Sequence, residues 1–131
     1  MELMTRSALL ELEEAMRGGD FEAETHHHFA LQTYAREMRL PVDTVIVGKI
    51  HRFPCINILS KGKVLVSGEF ERAVYEAPHT WVSVAGTKRA VLCLEDCVWT
   101  TLHQNPTNTR DLDELEGYLI ADTYAALEDA T

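Results

Sequence analysis

The sequence predicts a mainly β chain: a single jelly-roll β-barrel with an N-terminal and a C-terminal α-helix. Three observations carry this reading. From Ala30 to His103, apolar residues alternate with polar ones or gather in short runs, which is the period of strands and not of helices. Turn-forming residues interrupt that pattern at intervals of roughly eight to twelve residues. No helical period separates one run from the next, so parallel βαβ crossovers are excluded, and hairpins and Greek keys remain.

The elements follow in order. Leu9, Leu12 and Met16 fall at helical spacing between Met4 and Arg17, with Glu11, Glu13 and Glu14 largely on other faces, and Gly18-Gly19 is the expected stop. A helix this short is marginal alone, so its apolar stripe needs a surface on the main body or on another subunit. A polar bend from Asp20 to Thr25 leads into strands expected at 30–39, 44–50, 55–60, 63–67, 70–76, 80–84, 89–94 and 98–103. Their separators, such as Lys61-Gly62, Ala77-Pro78 and Ala85-Gly86, carry residues suited to turns. In the tail, Asn105-Pro106 blocks helix formation. Asp111, with Glu114 three residues on, has the form of a capping box ahead of Leu112, Leu115, Leu119 and Ile120. The expected organisation is therefore a helix and linker over 1–24, the barrel over 25–104, and a loop and helix over 105–131.

Composition removes several functions. Apolar residues make up 46% of the 131 residues and charged ones 25%, an ordinary balance for one globular domain. A formal charge of −9 repels a phosphate backbone, so no nucleic acid is expected as a partner. Cys55, Cys93 and Cys97 are odd in number and sparse, which points to reduced thiols in a cytosol. No apolar run approaches the roughly 20 residues of a membrane helix, so no membrane is expected either.

Six histidines are the most pointed chemical feature, because neutral imidazole is the commonest metal ligand. In the run His26-His27-His28, alternation on an extended segment lets His26 and His28 converge on one ion while His27 turns away; the plainer reading is a solvated strand edge. His51 and His103 end predicted strands, and Cys55 follows His51 by four residues. If a barrel gathers them at one mouth, two imidazoles and a thiolate suit zinc, iron or copper better than magnesium or calcium. The alternative is hydrogen-bonded histidines at strand ends and Cys55 as a small buried hydrophobe. No nucleophile elbow, phosphate-cradling glycine loop or HExxH helix is present, so hydrolase and nucleotide-binding readings lack support. Lys61, Lys63, Lys88 and Arg89 read as cations protecting strand edges. Trp81, Trp99, Tyr34 and Phe70 read as core.

The order GKIHRFPCINILSKGKVLV followed by APHTWVSVAGTKRAV resembles the two motif regions of the cupin superfamily. More closely, HHHFALQTYAREMRLPVDTVIVGKIHR, INILSKGKV, AGTKRAVLCLEDCVWTTLH and DLDELE resemble small cupin-like proteins of tailed bacteriophages and prophages, over 25–117. The resemblance places His51 at the leading histidine of the first motif, Gly62 at its turn glycine and Gly86 at the glycine of the second. It departs where metal-binding cupins have their second-motif histidine, which is Arg89 here, and no glutamate stands between His51 and Gly62. That implies two or three ligands at most. A permanent cation at Arg89 repels a divalent metal and favours a carboxylate or phosphate, unless it is a strand-edge arginine reaching water.

The function expected on this basis is a non-enzymatic phage structural or adaptor protein, in the virion or the host cytoplasm. It would dock by its terminal helices on other phage structural proteins or on itself as a homo-oligomer, with no cofactor. Two alternatives stand beside it. One is a small metal-dependent cupin enzyme using His51 and His103, with Cys55 or a member of the His26–His28 run, and zinc, iron or copper. The other is a small-ligand or host-factor binding protein taking an anion through Arg89 and Lys88.

Overall fold

A computed structural model describes residues 2–17 and 23–129, so the expected stop at Gly18-Gly19 and the start of the polar bend lie outside the described residues. Helix α1 (Arg6–Met16) is capped by Thr5, whose Oγ1 accepts from the amide of Ala8 at 3.0 Å. The strands follow as β1 (Glu24–Ala30), β2 (Thr33–Leu40), β3 (Val45–Val47), β4 (Ile50–His51), β5 (Cys55–Lys61) and β6 (Lys63–Gly68). After them come β7 (Arg72–Glu76), β8 (His79–Ser83), β9 (Arg89–Cys93) and β10 (Cys97–Gln104). The chain ends with α2 (Leu112–Leu119), the short β11 (Ile120–Ala121) and α3 (Tyr124–Asp129).

Every strand pairing among the described residues is antiparallel. One sheet runs β1-β2-β10-β5-β8, a second runs β3-β9-β6-β7, and β11 pairs with β4. Non-sequential neighbours such as β2-β10-β5 are the long connections of a jelly roll. The core lies between the sheets, where Leu40, Leu59, Val64, Val66, Val91, Cys93, Cys97 and Trp99 form one buried cluster. Strand β10 shows how the sequence sets this. Cys97, Trp99, Thr101 and His103 are buried and alternate with residues that are not, so a period of two set by Trp99 carries His103 inward.

Several expectations are corrected. The strand expected at 30–39 is a hairpin, with β1 added upstream and a turn at Leu31-Gln32; Gln32 takes a left-handed φ of 55° there. The strand expected at 44–50 breaks at Gly48 into β3 and β4. Asp111 is the N-cap, its Oδ1 accepting from Asp113 and Glu114 amides. Glu114, however, accepts from Thr109 Oγ1 instead of reaching back to the cap. Lys88 and Arg89, expected at exposed edges, are 5% and 7% exposed, and Phe70, expected in the core, is half exposed.

The terminal helices cover their own barrel. Leu9 of α1 is fully buried, Arg6 reaches Glu69 at 3.0 Å, and Lys88 meets Glu13 at 2.9 Å. On α2, Leu115 and Leu119 pack on Tyr34, Phe29 and Phe53 at one end of the barrel. Leu9, Leu115 and Leu119 are thus covered within the chain, which is where the marginal stability of short helices is made up.

Gly62, in the turn between β5 and β6, sits at φ 92°, and a Cβ there would lie 2.7 Å from Cys97 Sγ and closer still to the Asp96 carbonyl oxygen. Left-handed strain and this clash act together, so Gly62→Ala is expected to lower unfolding free energy by about 2–3 kcal/mol in urea titrations. An unchanged midpoint would refute that account of the turn.

Candidate metal centre

His51, Cys55 and His103 come together from three strands, with one ligand atom of each lying within 4.8 Å of the others. His51 is fixed on β4 by two backbone bonds to the loop before β9, its amide to Thr87 O at 2.9 Å and its carbonyl to the amide of Gly86 at 2.7 Å. On its other side β4 pairs Ile120 of β11 with His51. Cys55 opens β5 on the inner face shared with Asn57 and Leu59, and its Sγ lies 3.9 Å from His51 Nδ1. His103 is held by Thr101, whose Oγ1 lies 2.9 Å from its Nε2. The two imidazoles face each other with ring centroids 5.6 Å apart.

Burial tunes these groups. It pushes the His51 imidazole down to about 3, helped by the charge of Arg89 and by His103, and the His103 imidazole down to about 4, helped by Arg36 and Arg89. Both rings are therefore neutral near pH 7, with a lone pair available to a metal. Burial pushes the Cys55 thiol up, against the charge and hydrogen bond of Arg89. A cation binding here displaces that proton.

Arg89 reaches the interior from β9. Its Nη1 donates to Asn57 Oδ1 at 3.0 Å and to Ser83 Oγ, and its guanidinium lies 5.1 Å from the centroid of a Trp99 ring. Trp99 Nε1 donates to the same Asn57 oxygen at 3.2 Å, and Asn57 Nδ2 donates to Ser83 Oγ at 2.9 Å. Burial pulls the guanidinium below its ordinary value, opposed by Cys55 and Glu71. It is an interior cation built into a polar network, and the strand-edge reading is corrected. Lys88 points away from the cavity to Glu13, so the anion site expected from the Lys88–Arg89 pair is not assembled.

A cavity of about 490 Å³ opens beside the cluster, lined by His51 and His103, Arg36, Arg89, Trp99 and apolar residues from both sheets and α2. The histidine run contributes to it the opposite way round from expectation. His26 and His28 face outward, where they meet Glu24 at 3.2 Å and Glu37 at 2.9 Å, and neither joins the cluster. His27 faces in, its Nδ1 2.6 Å from Tyr34 Oη. The three histidines do alternate between faces; which face is inside depends on pairing with β2, which a single run does not reveal. Sequence reasoning also missed Arg36 and Thr101. The spacing of Tyr34, Arg36, Met38 and Leu40 was the available signal, because it puts an arginine on an apolar face.

The donor set fits a soft or borderline metal. Two donors on one tetrahedral zinc stand about 3.5 Å apart, given bonds of about 2.0–2.3 Å. The His51–Cys55 separation of 3.9 Å is close to that, and donors up to 4.8 Å apart come into reach when the two side chains close by about 1.3 Å between them. Two nitrogens and one sulfur leave coordination positions open, as catalytic sites do.

No family model matches the chain, and no curated protein is similar to it in sequence. Similarity to solved structures is clear. An RmlC-like cupin from Shewanella frigidimarina superimposes with a TM-score of 0.55 at 13% identity, covering 73% of this chain and 91% of that one. This chain has the cupin fold. Acetylacetone dioxygenase from Acinetobacter johnsonii matches with a TM-score of 0.52 at 17% identity, over 63% of this chain, which spans 58% of that one. Salicylate 1,2-dioxygenase from Pseudoaminobacter salicylatoxidans, solved with gentisate adducts, gives 0.61 at 10% identity over 86% of this chain and 32% of its own. At such identities the likeness to these cupins establishes the fold, and the chemistry rests on the side chains.

The expectation of a non-enzymatic phage adaptor is overturned. Cupin-fold structures similar to this chain include dioxygenases, and a His/Cys/His cluster is assembled in the interior. Nothing in the fold points to a phage origin. No described helix is long and apolar enough to cross a membrane.

Proposed function

We propose that this chain is a small metal-dependent cupin enzyme, of the oxygenase or isomerase kind, in which His51, His103 and Cys55 hold a zinc, iron or copper ion at the wall of the cavity. The observation that carries the reading is the convergence of three donors, two of them neutral imidazoles, beside a cavity of about 490 Å³ in a fold shared with dioxygenases. Bound there, the metal would polarise a substrate oxygen and offer open positions for it.

The chain's own residues do the rest. Thr101 fixes the His103 ring, the kind of outer partner that orients a ligand. A hydrogen bond joins His27 Nδ1 and Tyr34 Oη at the mouth, with burial holding the phenol above its ordinary value and the imidazole below, so the proton stays on the phenol. Leu115 and Leu119 of α2 exclude water from one end, which strengthens every electrostatic interaction inside.

Elemental analysis of untagged protein reconstituted with zinc, ferrous iron or copper tests this. About one equivalent is expected, with His51→Ala and His103→Ala each weakening metal affinity at least tenfold, by analogy with the sensitivity of such shells. Circular dichroism would check that both variants fold. Substoichiometric metal that His51→Ala does not change would end the proposal.

A further inference from the structure

We infer that the cavity takes a small organic carboxylate with an apolar body, and that Arg36 is the residue that binds the carboxylate. The inference rests on the reading that this cavity is the substrate site, and it comes from the charges that line it. Three cations border the space: Arg36, Lys49 and Arg89. Lys49 is paired with Glu116, the one carboxylate in the lining among the described residues. Arg89 is buried and committed to Asn57 and Ser83. Arg36 alone has no hydrogen-bond or ion-pair partner among the described residues, in a chain with 21 acidic side chains against 12 basic ones.

Its neighbours explain why it stays unpaired. Arg36 lies on the cavity side of β2 between Tyr34 and Met38, itself exposed to solvent, opposite His27 on β1 and Thr101 on β10. None of these carries a negative charge near neutral pH. The carboxylate next along β2, Glu37, is on the outer face, where His28 and Arg39 hold it. The charge of Arg36 is felt inside, since it helps depress His27, His51 and His103. A guanidinium offers a planar fork that matches a carboxylate with two parallel bonds. Met38, Ile46, Val91, Trp99, Leu112 and Leu119 give the wall an apolar part that suits a hydrocarbon or aromatic body. One free cation against such a wall selects a monoanion over a phosphate, which needs more donors.

The test uses benzoate and its neutral isostere benzamide as probes, titrated by amide chemical shifts into chelator-treated, full-length protein. Chelation removes direct carboxylate–metal bonding, so the anion contribution of Arg36 is read alone. Benzoate is expected to bind at least tenfold more tightly than benzamide, with shifts at the cavity. Arg36→Gln should remove that preference and leave benzamide affinity unchanged, while Arg36→Lys should restore part of it. Equal binding of the two probes, an unaltered benzoate affinity in Arg36→Gln, or no benzoate shifts at the cavity would each overturn the inference. Metal uptake is measured separately, so a chain that takes up metal but ignores benzoate fails here and leaves the metal-centre reading intact; the converse result does the reverse.

Discussion

Arg89→Ala is expected to lower the free energy of unfolding by about 3–4 kcal/mol, the loss of charge-assisted hydrogen bonds worth about 1.5–3 kcal/mol together with the cavity left behind. The loss has separable parts. Arg89 donates to Asn57 and Ser83 and lies beside the Trp99 ring, so truncation removes charge-assisted bonds and a cation–π contact and leaves a cavity. Asn57 and Ser83 keep a bond to each other, and Trp99 still donates to Asn57, so the acceptors are not stranded. Arg89→Met refills the volume without the charge and should lose about half as much, by removing hydrogen bonds worth about 1.5–3 kcal/mol. Urea denaturation of the three proteins decides it. A methionine variant as stable as the parent would show that the cation contributes nothing to holding the sheets together.

The second large effect is acid sensitivity of the metal-free protein. His51 and His103 have folded-state values of about 3 and about 4, below the ordinary imidazole value of 6.5. The unfolded chain therefore binds more protons than the folded one between those limits. Stability from keeping these rings neutral is fully present above about pH 6.5 and is lost as pH falls toward 4 and then 3. Each unit of depression corresponds to about 1.4 kcal/mol, so the pair account for several kcal/mol over that window. Unfolding midpoints in urea at pH 7.5, 5.5 and 4.5 should fall steeply, and a double variant with both histidines replaced by glutamine should fall less. Parallel curves for parent and double variant would contradict the burial argument. Arg89 belongs to the same effect, because its fixed charge adds to the penalty for protonating either ring.

Much of the architecture was legible in the pattern of residues. The strands at 55–60, 63–67, 89–94 and 98–103 appear within a residue or so of their expected places, because each carries a full period-two face bounded by a turn. Asp111 capped its helix as its side chain dictates. What the pattern could not carry was pairing. The hairpin at Leu31-Gln32 has no Gly or Pro to mark it, so β1 and β2 were merged, and with them went the knowledge of which histidine of the run faces in. Gly48 interrupts β3 and β4 through a local break that apolar content alone conceals. Arg89 and Lys88 looked like turn cations because burial of charge is an outcome of tertiary partners, here Asn57, Ser83 and Glu13, that lie 32, 6 and 75 residues away. The cluster of His51, Cys55 and His103 is accessible as a set of soft donors; Arg36 is marked only by its place between Tyr34 and Met38, a weak signal because an arginine in a strand ordinarily belongs to its solvent face.

The rung between Ile120 and His51 ties two jobs to one piece of chain. Arg52 reinforces it, its amide bonding to Leu119 O at 2.8 Å and its Nε to Ile120 O at 3.0 Å. The same few residues end α2, whose Leu115 and Leu119 line the cavity, and brace the backbone that presents an imidazole. The shape of that wall and the aim of the His51 ring are therefore set by one piece of chain.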